Sequence, residues 1–322
     1  MGLDADALVD RRRLRRKLGF WRVVAFIAVI IGLLAVALQF AGDPLALARG
    51  PHVARVTIDG FIGDDRDQQE LLRKIAKDSQ VKALILSINS PGGTTTGAEA
   101  LYEAVREVAE EKPVVATLGT IAASGGYIAA ISADHIVARG NTITGSIGVI
   151  FQWAQVKDLL ANWGIRFDEI KSSPIKAEPD PFTDTPEEAR QILEAMVADS
   201  YDWFVGLVAE RRKLGDAEAR RLGDGRVYTG RQALQAKLID AIGGEDVARD
   251  WLADEHNISR DLKVHEWRNG GVDGDLSLVR SFANWVGLGA IFDYVGKQIA
   301  GGAAVRLDGL MSVWQAPTQK TD

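Results

Sequence analysis

Ser124 stands in the stretch IAASGGYI (residues 121–128), directly after an apolar run. A hydroxyl placed where a strand feeds a helix sits beside unpaired N–H groups and the positive end of the helix dipole, which favours a developing oxyanion. Gly125 and Gly126 would let a substrate backbone come close. The pattern is not the Gly-x-Ser-x-Gly elbow of hydrolases with a Ser-His-acid triad. On spacing alone, a small residue that lets two elements pack tightly is the plainer reading.

A second feature lies about thirty residues earlier, at Ser90-Pro91-Gly92-Gly93. Two glycines after a buried-type strand can aim N–H groups into a cleft. No Gly-Lys-Ser/Thr follows, so this is not a phosphate loop, and it is not a dinucleotide fingerprint. Set beside Ser124-Gly125-Gly126, it reads as the other half of an oxyanion hole.

A serine nucleophile needs a base. The histidines are His52, His135, His256 and His265; none has metal-ligand spacing on a helix, and each reads as structural or exposed. The absence of cysteine rules out thiol catalysis, disulfides and thiolate-bound zinc. A neutral lysine is the other known partner for serine, and it must be desolvated to lower its pKa. The segment KSSPIKAEP (residues 171–179) offers Lys171 and Lys176. Spacing neither chooses between them nor separates either from an ordinary surface lysine.

These residues hang on an alternation of strands and helices. Val53–Asp59 predicts a strand ended by Gly60, residues 65–77 a helix, and Val81–Ile88 a buried strand running into a turn over Asn89–Gly93. Residues 98–111 predict a helix stopped by Pro113, and 114–119 another strand. Residues 121–133, nearly all small or apolar, predict a helix; 135–138 predicts a strand. Further on, 165–171 predicts a strand. Thr185, Pro186 and Glu188 predict a capped helix running to about Arg212, with short helices at 231–237 and 245–254. Alternation of this kind implies an α/β fold with a mainly parallel sheet and crossover helices.

The first 22 residues carry seven Lys or Arg against three Asp. The whole chain has 38 basic and 44 acidic side chains, so the remainder holds 31 against 41. A body this acidic is a poor nucleic-acid binder. The basic head precedes residues 23–41, VVAFIAVIIGLLAVALQFA, which hold no charge. As a helix they would span roughly 28 Å, about the hydrocarbon thickness of a bilayer. Basic residues before the span favour a cytoplasmic N-terminus, with the body on the far side. Ala46-Leu47-Ala48 resembles a signal-peptide cleavage site, but the apolar run exceeds the usual signal core, which favours a retained anchor.

Taken together, INSPGG (Ile88–Gly93), AASGGYIAA (Ala122–Ala130), NTITGSIGV (Asn141–Val149), IKSSPIKAEPDPF (Ile170–Phe182) and DGRVYTGRQAL (Asp224–Leu234) resemble the signal peptide peptidase A, or protease IV, family in its short single-domain form. They occur in family order and spacing over roughly residues 53–250. The resemblance implies a Clp-protease/crotonase-like fold behind one N-terminal transmembrane helix, assembled into a ring-shaped homo-oligomer. It implies Ser124 as nucleophile, Lys176 as general base, Ser146 as the hydroxyl that orients the base, and the Gly93 and Gly125 N–H groups as oxyanion donors. Lys171 is then structural. No metal or other cofactor is implied. The lysine segment departs from many members in having Ser173 for Gly and Asp180-Pro181 for Ser-Pro, which stiffens it.

The expected organisation is a cytoplasmic basic segment (1–22), an anchor (23–41), a linker (42–51), a Ser-Lys peptidase domain (52–257) and a C-terminal extension (258–322). The implied activity is endopeptidase action on remnant signal peptides and other hydrophobic peptides, at the outer side of a bacterial inner membrane. The alternatives are a related envelope protease acting on an anchored protein, and a crotonase-type acyl-CoA enzyme, which shares the two-amide oxyanion hole.

Overall fold

The computed structural model describes residues 50–268, together with Trp21, Arg22, Phe26 and the backbone of 311–313. Apart from Phe26, the expected anchor lies outside the described residues. Among those described, no helix is long and apolar enough to cross a membrane.

The chain alternates as expected through its first half: β1 (His52–Ile62), α1 (Arg66–Lys77), β2 (Val81–Thr94), α2 (Thr95–Glu111), β3 (Val114–Ala123), α3 (Gly125–Ile131), β4 (His135–Ala138) and β5 (Ile143–Gly145). An irregular excursion follows, holding only α4 (Lys157–Asn162). Then come α5 (Glu187–Arg212), α6 (Asp216–Leu222), β6 (Val227–Thr229), α7 (Gly230–Gln235), β7 (Ala241–Ile242), α8 (Glu245–His256), β8 (Val264–Glu266) and β9 (Met311–Val313).

The strands form one sheet in the order β6-β5-β3-β2-β1-β8. β3 pairs with β4 along its first half and with β5 along its second. Pairing is parallel except between β5 and β6 and between β2 and β9. The sheet therefore takes in 264–266 and 311–313, both from the segment expected as a separate extension.

Alternation along β2 divides the core. Leu84, Leu86 and Ile88 join α1, α2, α3 and α5 on one face, through Leu72, Val105, Ile128 and Phe204 among others. Ala83 and Ile85 face the other way, against Ala248 and Leu252 of α8. Burying each such large apolar side chain stabilises the fold by about 1.5–3 kcal/mol, so both faces are held. Capping fixes the helix starts: the Asp65 carboxylate accepts from Gln68 N–H at 3.1 Å, and Thr94 from Gly97 N–H at 3.0 Å.

Four expectations are corrected. Asn89–Gly93 is strand, not turn, and β1 likewise runs through Gly60. The two strands stay paired past a bulge, Asp59 opposite Asn89 and then Phe61 opposite Gly92, so Pro91 falls where the ladder is already broken. The helix expected over 121–133 begins only at Gly125, because Ile121–Ala123 pair with β5. Residues 165–171 form no strand; among the described residues no strand pairs with them, and Ile165, Phe167 and Ile170 are exposed. Thr185 does not cap α5. Its hydroxyl instead accepts from Trp153 Nε1 and Gln155 Nε2.

Candidate active site

β3 delivers Ser124 to the head of α3. Its backbone is at φ 56° and ψ −118°, a conformation ordinarily left to glycine. The backbone is pinned on both sides: Ser124 N–H donates to the Gly145 carbonyl at 2.8 Å, and the Ser124 carbonyl accepts from Tyr127 and Ile128 N–H at 2.8 and 3.0 Å. The cap is thus made by the main chain, and the side chain plays no part in it. Ser124 is buried, 1% exposed, at the edge of a cavity.

The glycines around it serve close packing. A Cβ on Gly126 would lie 2.6 Å from the Ser90 carbonyl oxygen, so α3 can seat on β2 only with glycine there. A Cβ on Gly93 would fall 1.7 Å from the Ile62 carbonyl oxygen, which leaves no room for any side chain. The buried Ser90 hydroxyl donates to the Gly60 carbonyl at 2.6 Å and accepts from Gly92 N–H at 3.1 Å, holding the strand ends together. β2 pairs with β3 as far as Ser90 opposite Ala122. Beyond that point, Gly92–Thr94 pair antiparallel with β9.

Ser146 lines the same cavity as Ser124, with its N–H donating to the Arg226 carbonyl at 2.8 Å. The cavity holds about 450 Å³ and is walled by Ile147, Val149 and Ile150 after β5, Val197 and Tyr201 of α5, and the Gly223–Gly225 turn. It shares Ile150, Val197 and Tyr201 with a second cavity of about 450 Å³, which adds Phe151, Trp153 and Leu193. The result is an apolar groove leading away from Ser124. Its charged margins are Asp224 at the first cavity and Arg190 and Glu194 at the second, and the Asp224 carboxyl is held below the usual range by the hydrogen bond from Arg226. The part played by α5 was missed in the sequence. The spacing of Val197 and Tyr201, one helical turn apart, is the only signal, and any buried helix shows it.

The two lysines part company. Lys171 Nζ lies 2.5 Å from Glu169 Oε1, 2.7 Å from Glu178 Oε1 and 3.3 Å from Asp180 Oδ2. Hydrogen bonding to Glu169 and then Glu178 holds its pKa above the ordinary value, so it stays protonated and cannot act as a base at neutral pH. Lys176 is exposed, in a run of turns whose N–H donates to the Ser173 carbonyl at 3.1 Å. It is not among the described residues lining the Ser124 cavity, and no histidine is either. His52 is buried against Trp267, and His135 stacks on Trp251. The structure thus gathers Ser124 and Ser146 in one cavity, with Gly125 and Gly93 on the adjoining helix and strand, and leaves Lys176 outside.

Comparison with known proteins gives a consistent result. Residues 106–259 match Peptidase family S49. The chain is 36% identical to a putative protease of Synechocystis over 211 residues, covering 65% of this chain and 76% of that protein. It is 32% identical to a putative protease of Methanocaldococcus jannaschii over 251 residues, covering 73% and 81%. It is 33% identical to a putative signal peptide peptidase of Enterococcus faecium over 261 residues, covering 76% and 75%.

Proposed function

Since the chain belongs to peptidase family S49, among the signal peptide peptidase-like proteases, we propose that it is a membrane-anchored serine endopeptidase working through a Ser124–Lys176 dyad. The observation that carries the reading is Ser124 itself: a positive-φ residue at a strand-to-helix junction, where the helix is capped by backbone, lining an apolar groove beside Ser146. Lys176 takes the Ser124 proton, and Ser124 attacks the scissile carbonyl. The Gly93 and Gly125 N–H groups receive the oxyanion. Protonated Lys176 then gives its proton to the leaving amine, and water hydrolyses the acyl-enzyme. Ser146 holds the lysine amine in line.

Lys176 lies outside the Ser124 cavity of its own chain, so the dyad closes on assembly, with the lysine loop of a neighbouring copy entering the open side of the cavity. A ring of heterologous contacts repeats this exchange around its circumference. Peptide substrates are supported by β9: an extended segment already lies antiparallel along Gly92–Thr94, the way a bound peptide adds to a strand edge. The apolar groove suits hydrophobic sequences, and residues 23–41 hold the site at the membrane where remnant signal peptides remain.

The test is hydrolysis of a hydrophobic fluorogenic peptide by the full-length protein in detergent, with Ser124→Ala and Lys176→Ala. Each substitution removes activity by about 10³-fold or more. Retained hydrolysis in either variant overturns the dyad, and turnover of acyl-CoA thioesters would favour the crotonase-type alternative.

A further inference from the structure

We propose that Lys171 is a positioning residue for Lys176, closing the loop that presents it; this rests on the reading of Lys176 as the base. The loop from Ser172 to Ala177 is exposed throughout and contains only turns. Its internal backbone bonds are few: Lys176 N–H to the Ser173 carbonyl at 3.1 Å and Glu178 N–H to the Ile175 carbonyl at 3.3 Å. A segment of this kind samples many conformations unless its ends are tied.

Lys171 ties them. Its ammonium stands at the start of the loop and reaches Glu178 and Asp180 beyond its end, as well as Glu169 just before it. The tie is not a solvated surface contact. The side chains of Lys171, Glu178 and Asp180 are 14%, 4% and 11% exposed. Carboxylate oxygens of Glu169, Glu178 and Asp180 lie within 4.8 Å of one another, so without a central cation they repel. The far end is itself anchored: Asp180 accepts from Phe182 N–H at 2.7 Å, Thr183 N–H at 2.8 Å and the Thr183 hydroxyl at 2.6 Å. Lys176 is thus held between two fixed points, two residues from Glu178. The division of labour between two lysines five residues apart follows: one stays charged and holds the loop, and the other is carried by it to the serine.

One consequence separates this role from bulk stability. Loss of the tie misplaces the base, so turnover falls while substrate binding in the apolar groove persists. A misplacement of about 1 Å costs on the order of 10²-fold in rate.

The experiment compares Lys171→Met, Lys171→Arg and Lys176→Ala in the full-length protein, measuring kcat, KM and Tm. The expected result is a fall of about 10²-fold in kcat for Lys171→Met, with KM changed by less than about threefold. Lys171→Arg, which keeps the cation, recovers most of the rate. Lys171→Met with wild-type kcat, or Met and Arg variants equally impaired, overturns the proposal while Lys176→Ala is inactive. An active Lys176→Ala overturns instead the reading beneath it. Should Lys171→Met lower Tm enough to obscure the comparison, the double variant Lys171→Met/Glu178→Gln relieves the repulsion. It must still show the kcat loss; wild-type turnover in it counts against the proposal.

Discussion

If Ser124 and Lys176 meet only across an interface, two inactive chains can make an active enzyme. The perturbation is co-expression of Ser124→Ala and Lys176→Ala chains, each separately tagged. The cavity at Ser124 is lined by its own chain and lacks Lys176. On the proposed reading, a working site draws its serine from one copy and its lysine from the next. With random co-assembly, the chance that a site has both is the product of the two chain fractions, whatever the number of copies in a heterologous ring. An equal mixture should recover about 25% of wild-type activity per protomer, and a three-to-one mixture about 19%. Each parent alone should sit at about 10⁻³ of wild type or below. The assay is peptide hydrolysis on the unselected co-expressed preparation, with successive capture of a portion through both tags showing that the two chains share particles. Were the dyad to close within one chain, every chain in the mixture would lack one partner and no ratio would recover activity. Mixed assemblies staying at the parental level would refute the inter-chain dyad.

Other consequences are narrower. Gly93→Ala places a methyl group where the Ile62 carbonyl already sits, so the strand must shift and peptidase activity should fall by about 10²-fold or more, whereas Gly215→Ala, with open space around it, should leave activity unchanged. Tyr127→Phe removes a buried donor, the hydroxyl 2.8 Å from the Leu238 carbonyl, and should cost about 1–3 kcal/mol, read as a lower denaturation midpoint at unchanged m-value. Burial lowers the His135 pKa despite the nearby Asp240 carboxylate. The unfolded chain therefore takes up this proton first as pH falls through about 6.5, and stability present above that pH declines below it. His135→Gln should flatten the drop in Tm between about pH 8 and pH 5.5, and an unchanged drop would assign the slope to other groups.

The sequence made the α/β alternation legible because buried strands and amphipathic helices leave different periods. It misled where one composition serves two structures. Asn89-Ser90-Pro91-Gly92-Gly93 has turn chemistry, yet Gly93 is there to let β1 approach, Gly92 takes a φ of 115°, and the proline sits in a bulge. Ile121–Ala123 are small and apolar enough for helix or strand, and only the β5 edge decides. Ile165, Phe167 and Ile170 read as a strand because spacing reports apolar residues and says nothing of a partner edge. At the site, Ser124 and Ser146, singled out through short motifs and the family resemblance, line one cavity. The clamp on Lys171 was not legible, because its three carboxylates come together only once the loop between them has closed. Val197 and Tyr201 reach the groove from a helix more than seventy residues beyond Ser124, a distance no local pattern spans.

The backbone of Ser124 also sets a limit on how this protein can change. A non-glycine residue at φ 56° and ψ −118° carries strain on the order of 1–3 kcal/mol. Ser124→Gly would release part of it, so the simplest stabilising step at this position is one that removes the hydroxyl proposed as the nucleophile. Selection for thermal stability alone, applied without a demand for peptidase activity, should therefore drift toward glycine here.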